Sequence, residues 1–354
     1  MLSPHVRANF SPEGAYLDTA TYGLPPRRAF AAFADAADEW RHGRCGFDGW
    51  DGAVGAARAA YARLVGAPAA EVALGAVVSP FVGLIAAAMP AGTRVLAPRD
   101  EYTSVLFPLL AQEHRGVRLE LVELEQLADA IDGTTDWVAF SAVQSLDGRV
   151  APLEQIAAAA AHHGARTLVD TTQACGWLPL DATRFDVTAC GGYKWLLNPR
   201  GTAYMTIREE LWEQVPTNAA GWYGAAQPTS ALYGPPLRLA PDAGRYDISP
   251  AWLCWVGAVG ALELIEAVGV EQIGAHDVAL ANRLRAELGL ECSDSAIVSL
   301  PAPDGTLERL HAAGVRASGR GGRVRLAFHL YNDERDLERA LAVLAATPLL
   351  RSAS

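Results

Sequence analysis

Paired cysteines are the first thing this chain lacks. Its five, Cys45, Cys175, Cys190, Cys254 and Cys292, form no CxxC pair and no metal-ligand spacing, so no metal centre is expected. An odd count without a secretory leader argues for reduced thiols and a cytoplasmic protein. Residues 1–15 hold His5, Arg7 and Glu13 and lack the apolar core of a targeting peptide. Basic blocks are missing too. Arginines are scattered and the formal net charge is −11, which argues against nucleic acid and against an anionic membrane surface as partners. Long hydrophobic runs are equally scarce. The uncharged window 72–93 is about as long as a bilayer-spanning helix, but Pro80, Pro90 and several glycines interrupt it. A buried strand, loop and helix account for it. There is no internal repeat and no low-complexity segment.

What is present suits a large folded core. At 354 residues the length fits two domains, or one large domain with an appendage. The hydrophobic share of 51% is at the upper edge for globular chains, and alanine-rich helices explain much of it. The expected organisation is an N-terminal arm over 1–28, a large domain over 29–245, and a long helix with a smaller α/β domain over 246–354. Phe30, Phe33, Ala37 and Trp40 recur at helical spacing and predict a helix over 29–41. The glycine-rich stretch 43–52 reads as a mobile loop, followed by a helix over 54–65 that Gly66 and Pro68 stop. Short strand-like runs near 71–74, 93–97, 119–123, 137–142, 168–170, 185–189 and 203–207 alternate with helices near Pro80, over 153–163 and over 209–215. That alternation predicts an α/β fold, a mostly parallel sheet with helices on both faces. Residues 225–244, rich in Pro and Gly, read as a loop. A long helix is expected over 252–268, then strands near 296–300 and 323–328 and a terminal helix over 337–344.

One stretch, 167–201, carries the chemistry: TLVDTTQACGWLPLDATRFDVTACGGYKWLLNPRG. An apolar run closes on Asp170, Gln173 follows three residues later, and a second strand-like run leads into Gly191-Gly192-Tyr193-Lys194-Trp195. Either charged residue alone is an ordinary buried acid or an ordinary lysine. Together, in this order, they suit pyridoxal 5′-phosphate (PLP): the lysine forms the Schiff base and the acid pairs with the pyridinium nitrogen, so that the ring acts as electron sink. Upstream, a strand, a small-residue turn and a helix starting near Pro80 form a candidate phosphate cup, with Ser79 at the helix N-terminus.

The motifs VDTTQA, YKW and PRG resemble the cofactor core of the class V (cysteine desulfurase-like) branch of fold type I PLP enzymes. YKW and the later Gly221-Trp222-Tyr223-Gly224 are nearer to kynureninase and to the C–S lyase of ergothioneine biosynthesis. The resemblance spans about 16–344. It implies a mostly parallel seven-stranded sheet with helices on both faces, a smaller C-terminal α/β domain, and a homodimer with shared sites. Carried over residue by residue, it implies that Tyr102 stacks on the cofactor ring, Gln173 meets the 3′-oxygen and Tyr193 binds phosphate. Trp222 and Ser249 would complete the partner subunit's site, Trp222 at its phosphate. Tyr22 and Ser145 would lie near substrate, Ser145 where the family often has Asn. The segment RLAFHLYN at 325–332 resembles the family's R-x-S-x-x-x-Y-N, which makes Arg325 the expected clamp on a substrate carboxylate, with Arg323 and Arg320 close by in sequence.

Desulfurases of this branch carry a reactive Cys on the loop before that Arg, whereas no Cys follows Cys292 here. A persulfide relay therefore lacks its thiol. The implied reaction is β-elimination from an S-substituted cysteine or its sulfoxide, with Lys194 as proton carrier, giving a thiol or sulfenate, pyruvate and ammonia. A class V aminotransferase or an amino-acid epimerase would use the same constellation, and kynureninase-type cleavage stands as a further alternative.

Overall fold

The computed structural model describes residues 2–347. Seven strands build the main sheet: β1 (Val72–Gly75), β2 (Arg94–Pro98), β3 (Arg118–Val122), β4 (Trp137–Ser141), β5 (Arg166–Asp170), β6 (Val187–Gly191) and β7 (Ala203–Ile207). Their order is β1-β7-β6-β5-β4-β2-β3, parallel throughout except that β7 runs antiparallel to both its neighbours. Six of the seven are almost wholly buried, as expected for strands covered by helices on both faces. The partly exposed exception is the edge strand β3. A second sheet, in the order β9-β10-β8, holds β8 (Ile297–Pro301), β9 (Ser318–Arg320) and β10 (Arg323–Ala327).

The helix Trp252–Val268 joins the two halves and packs against the helices Arg27–Arg41 and Phe47–Leu64. Its Gly260 lies against the backbone of Ala29, so any Cβ there would crowd the crossing. A next helix, Val270–Glu287, follows after an 82° bend. Among the described residues no single helix is long and apolar enough to cross a membrane, and window 72–93 folds as β1 and the helix Val78–Ala88.

Two expected elements fold differently. Helix Phe47–Leu64 begins inside the stretch read as a mobile loop. Its two early glycines each disfavour helix by about 1 kcal/mol, but tertiary contacts outweigh them. Phe47 packs against Trp222 and Trp252, and Asp51 accepts hydrogen bonds from Tyr223 Oη and Trp252 Nε1. The helix expected over 209–215 shrinks to one turn, Glu209–Leu211, because Pro216 biases Val215 away from helical geometry. The arm runs along the molecule: Ala15 and Tyr16 pair with Val315 and Arg316, Leu17 accepts from Ala327 N–H, and Gly23 N–H donates to Tyr193 O. It thereby ties the small sheet to the loop that carries Lys194.

Candidate active site

The C-terminal ends of β4, β5 and β6 open into a cavity of about 200 Å³, where the helices Val78–Ala88 and Thr103–Leu110 begin. Ligands of open α/β sheets collect at these strand ends. Four larger hollows, of about 690, 580, 280 and 600 Å³, lie away from it and contain no lysine. Lys194 is in fact the only lysine of the chain.

Asp170 ends β5 with its carboxylate buried. Burial raises its pKa, while a 2.8 Å hydrogen bond from Thr172 N–H and the charge of Lys194 act in the opposite sense. Lys194 follows β6 and is 7% exposed. Burial lowers its ammonium from 10.5 to about 8, partly offset by Asp170 and reinforced by Arg325 and Arg320. Its Nζ lies 5.5 Å from the ring centre of Tyr102 and 5.8 Å from that of Tyr193.

The lysine loop is held tightly. Trp195 donates its indole N–H to Gln173 Oε1, and its carbonyl faces His329 Nε2 at 3.0 Å. His329 Nδ1 meets Asp277 Oδ2 at 2.8 Å, both residues fully buried. Leu197 adopts a left-handed φ of 59°, a conformation that such residues hold only where their surroundings impose it. Gly23 stacks on the Lys194 carbonyl so closely that a side chain would overlap it.

A face suited to an anion lies across the same cavity. The helix Val78–Ala88 begins at Val77, whose side chain cannot cap it, with Ser79 in the first turn. Ser104 sits in the first turn of the next helix and also lines the cavity. Arg200 adds a cation, its guanidinium 4.7 Å from the Tyr193 ring centre. Exposed N–H groups, hydroxyls and a guanidinium together favour an oxyanion.

The expected site residues fall into three groups. Ser79, Tyr102, Ser145, Asp170, Gln173, Tyr193 and Lys194 all line the cavity. Gln173 does so with its amide N–H groups engaged by Ala20 O at 2.9 Å and Ser145 Oγ at 3.1 Å. Tyr22 and Arg325 stand just behind the lining. The Tyr22 hydroxyl accepts from Arg200 N–H, and its ring lies 5.7 Å from that of Tyr193. Arg325 donates to Ser145 O, Ser145 Oγ and Thr21 Oγ1. Trp222 and Ser249 lie outside the cavity of their own chain; Trp222 sits among Phe47, Tyr223 and Trp252, and Ser249 is exposed.

Arg200 and Thr172 join the site from inside the PRG and VDTTQA motifs, without a role assigned to them from the sequence, whereas Ser104, Ser141 and Glu101 join it with no motif to announce them. Glu101 is buried next to Tyr102 and accepts from Tyr102 N–H, Ser141 N–H and Gln144 Nε2. Burial raises its pKa, and these hydrogen bonds act against that rise. Among the described residues no cluster of His, Cys, Asp or Glu suits a metal ion.

Comparison with known proteins places the molecule. The fold superposes on a cystine C–S lyase, C-DES, with a TM-score of 0.86 at 20% identity, covering 95% of this chain and 98% of that one. It also superposes on the cysteine desulfurase of Thermococcus onnurineus NA1 (TM-score 0.85, 21% identity, 97% and 98% covered). In sequence it is 28% identical over 312 residues to the uncharacterized aminotransferase YcbU of Bacillus subtilis, 81% of each chain. It is 30% identical over 201 residues to isopenicillin N epimerase of Streptomyces clavuligerus, 52% of this chain and 48% of that enzyme. Residues 56–302 match the family described as Aminotransferase class-V, and the chain belongs to that family, whose cofactor is pyridoxal 5′-phosphate.

Proposed function

We propose that the protein is a PLP-dependent C–S lyase that eliminates the sulfur substituent of an S-substituted cysteine or its sulfoxide. The products would be a thiol or sulfenate, pyruvate and ammonia. The observation that carries this reading is the pairing of a single buried amine with a cavity that no cysteine lines. Sulfur leaving a substrate finds no protein thiol to accept it.

The residues fit the cofactor. Asp170 is a buried carboxylate suited to a pyridinium N–H, and Ser79, Ser104, Tyr193, Arg200 and the uncapped helix start suit a phosphate. Tyr102 supplies an aromatic face near Lys194 for a stacked ring. When bound, PLP supplies an electron sink that makes the Cα–H bond of an amino acid acidic.

The chain's own groups do the rest. Lys194, as the only side-chain amine, is the only residue able to hold the cofactor covalently and then to carry the Cα proton at its Nζ. An amine held at about 8 has a usable unprotonated fraction at neutral pH. Arg325, buried and without an ion-pair partner among the described residues, is suited to hold the substrate carboxylate beside Ser145. Trp222 and Ser249, away from their own cavity, are suited to complete the site of a second copy.

The experiment is to supply S-methylcysteine sulfoxide and S-conjugates of cysteine to the holoenzyme without any amino acceptor, and to measure pyruvate. Pyruvate release, abolished by Lys194→Ala, supports the lyase. Turnover only when an amino acceptor is added moves the assignment to an aminotransferase, and inversion at Cα without pyruvate moves it to an epimerase. The named relatives keep both of these as the second reading.

A further inference from the structure

Two guanidinium groups converge on one hydroxyl beside the cavity. Arg325 Nη2 donates to Thr21 Oγ1 at 2.9 Å, and Arg320 Nη2 reaches the same oxygen at 3.3 Å, so the two nitrogens are at most about 6 Å apart. Arg325 lies on β10 and is 1% exposed. Arg320 ends β9 and is exposed, at the tip of the hairpin that leads into β10. That tip closes onto the cavity-lining loop, where a side chain at Gly321 would meet Leu146, next to Ser145.

Like charges this close repel unless an anion lies between or beside them. Among the described residues neither guanidinium forms an ion pair. Arg320 otherwise bonds only Gly319 O, and the Nε of Arg325 is buried with no partner. One acid, Asp18, is buried and acts on Arg325 only through space. Counting charge across the site with cofactor bound, Asp170 answers a pyridinium nitrogen, a phosphate answers Arg200, and a substrate α-carboxylate answers Arg325. Arg320 is left over, exposed beside the cavity-lining loop and within reach of the distal part of a substrate held at Arg325.

We infer that Arg320 is a specificity-determining residue that binds a second anionic group, so that the preferred substrates are amino acids whose side chain ends in a carboxylate or comparable oxyanion. This rests on the reading that Arg325 holds the α-carboxylate, and deepens the proposed lyase function without depending on the bond that is broken. A charge-assisted hydrogen bond in such a setting is worth about 1.5–3 kcal/mol, about tenfold or more in affinity.

The test has two arms. In the first, glutarate and butyrate, which have no amino group to react, are titrated into the holoenzyme by calorimetry. Glutarate is expected to bind about tenfold tighter, and Arg320→Gln to remove that difference while Arg320→Lys keeps part of it. Equal binding of the two acids, or a difference that survives in Arg320→Gln, overturns the proposal. In the second arm, kcat/KM is compared for the sulfoxides of S-carboxymethylcysteine and S-methylcysteine. The acidic substrate is expected to lead by about tenfold, and the ratio to collapse toward unity in Arg320→Gln. If neither compound yields pyruvate while the glutarate preference and its loss in Arg320→Gln are observed, the lyase reading fails and the anion site stands. If pyruvate forms from both at equal rates and glutarate shows no preference, the lyase stands and the anion site falls.

Discussion

Lys194 shows how one residue can be a cost to the fold and a necessity for the chemistry. Its ammonium is 7% exposed and lowered from 10.5 to about 8, which corresponds to about 3 kcal/mol of destabilisation of the charged form. The unfolded chain binds that proton more tightly than the folded one. The penalty is therefore complete below about pH 8, and folded stability recovers as pH rises from about 8 to about 10.5. In protein stripped of cofactor, Lys194→Met should raise stability at pH 7 by about 2 kcal/mol, because Asp170 loses its counter-charge at the same time. The substitution should also erase the recovery above pH 8. Urea unfolding across pH 7–10 checks both, and a variant no more stable than its parent would refute the burial account. Much of this was legible in the sequence: an apolar run closing on Asp170, a glycine pair, and a lysine between aromatics, to which the lone lysine count adds a signal of its own. Glu101 was not legible, and Arg200 was legible only as part of the PRG motif, its place against Tyr193 being set by a loop whose course no periodicity encodes. The His329–Asp277 pair beneath Trp195 was hidden for the same reason, its partners lying 52 residues apart, Asp277 on the helix Val270–Glu287 and His329 in the loop after β10.

At the scale of elements, periodicity served where helices and strands bury a regular face and failed where contacts override local preference. The helices Leu153–His163 and Trp252–Val268 fall at their expected bounds, since an alanine-rich stripe and a continuous apolar helix announce themselves. The start of Phe47–Leu64 could not be read, because the side chains that stabilise it come from Trp222, Tyr223 and Trp252, far along the chain. The arm is the element whose role the structure makes plain. Gly23 N–H bonds the carbonyl before Lys194, and its missing side chain leaves room for the Lys194 carbonyl itself. Gly23→Ala should therefore push the lysine loop away from the arm while the two sheets stay intact. The expected result is a fall in kcat of about 100-fold, the size of effect that an error of about 1 Å in placement produces. The unfolding midpoint should change little by comparison. Near-parental kcat in a folded Gly23→Ala protein would show that the loop tolerates displacement.

For the whole molecule, strand–helix alternation was enough to expect the mostly parallel main sheet, and the structure has it, with seven strands and a smaller sheet beyond the long helix. Which strands neighbour which was not readable, since β7 inserts between β1 and β6 through pairings that only the closed sheet defines. A further whole-molecule prediction concerns side chains that lie exposed or away from the site of their own chain. Phe30 is 59% exposed, Trp40 64% and Phe47 47%, and Trp222 and Ser249 stand outside the cavity formed by their own Lys194. Such side chains offer an apolar surface to a second molecule. If a second copy covers it, each site would draw Lys194 from one protomer and Trp222 from its partner. Lys194→Ala and Trp222→Ala proteins, each nearly inactive alone, should then complement when unfolded and refolded together. A mixed dimer would contain one intact site and one doubly defective site, so random pairing should restore about a quarter of the parental activity. Sedimentation of the refolded mixture should place that activity with the dimer. Full parental activity in a species the size of one chain, or no recovery in a mixture shown to have exchanged subunits, would mean that each chain carries a complete site.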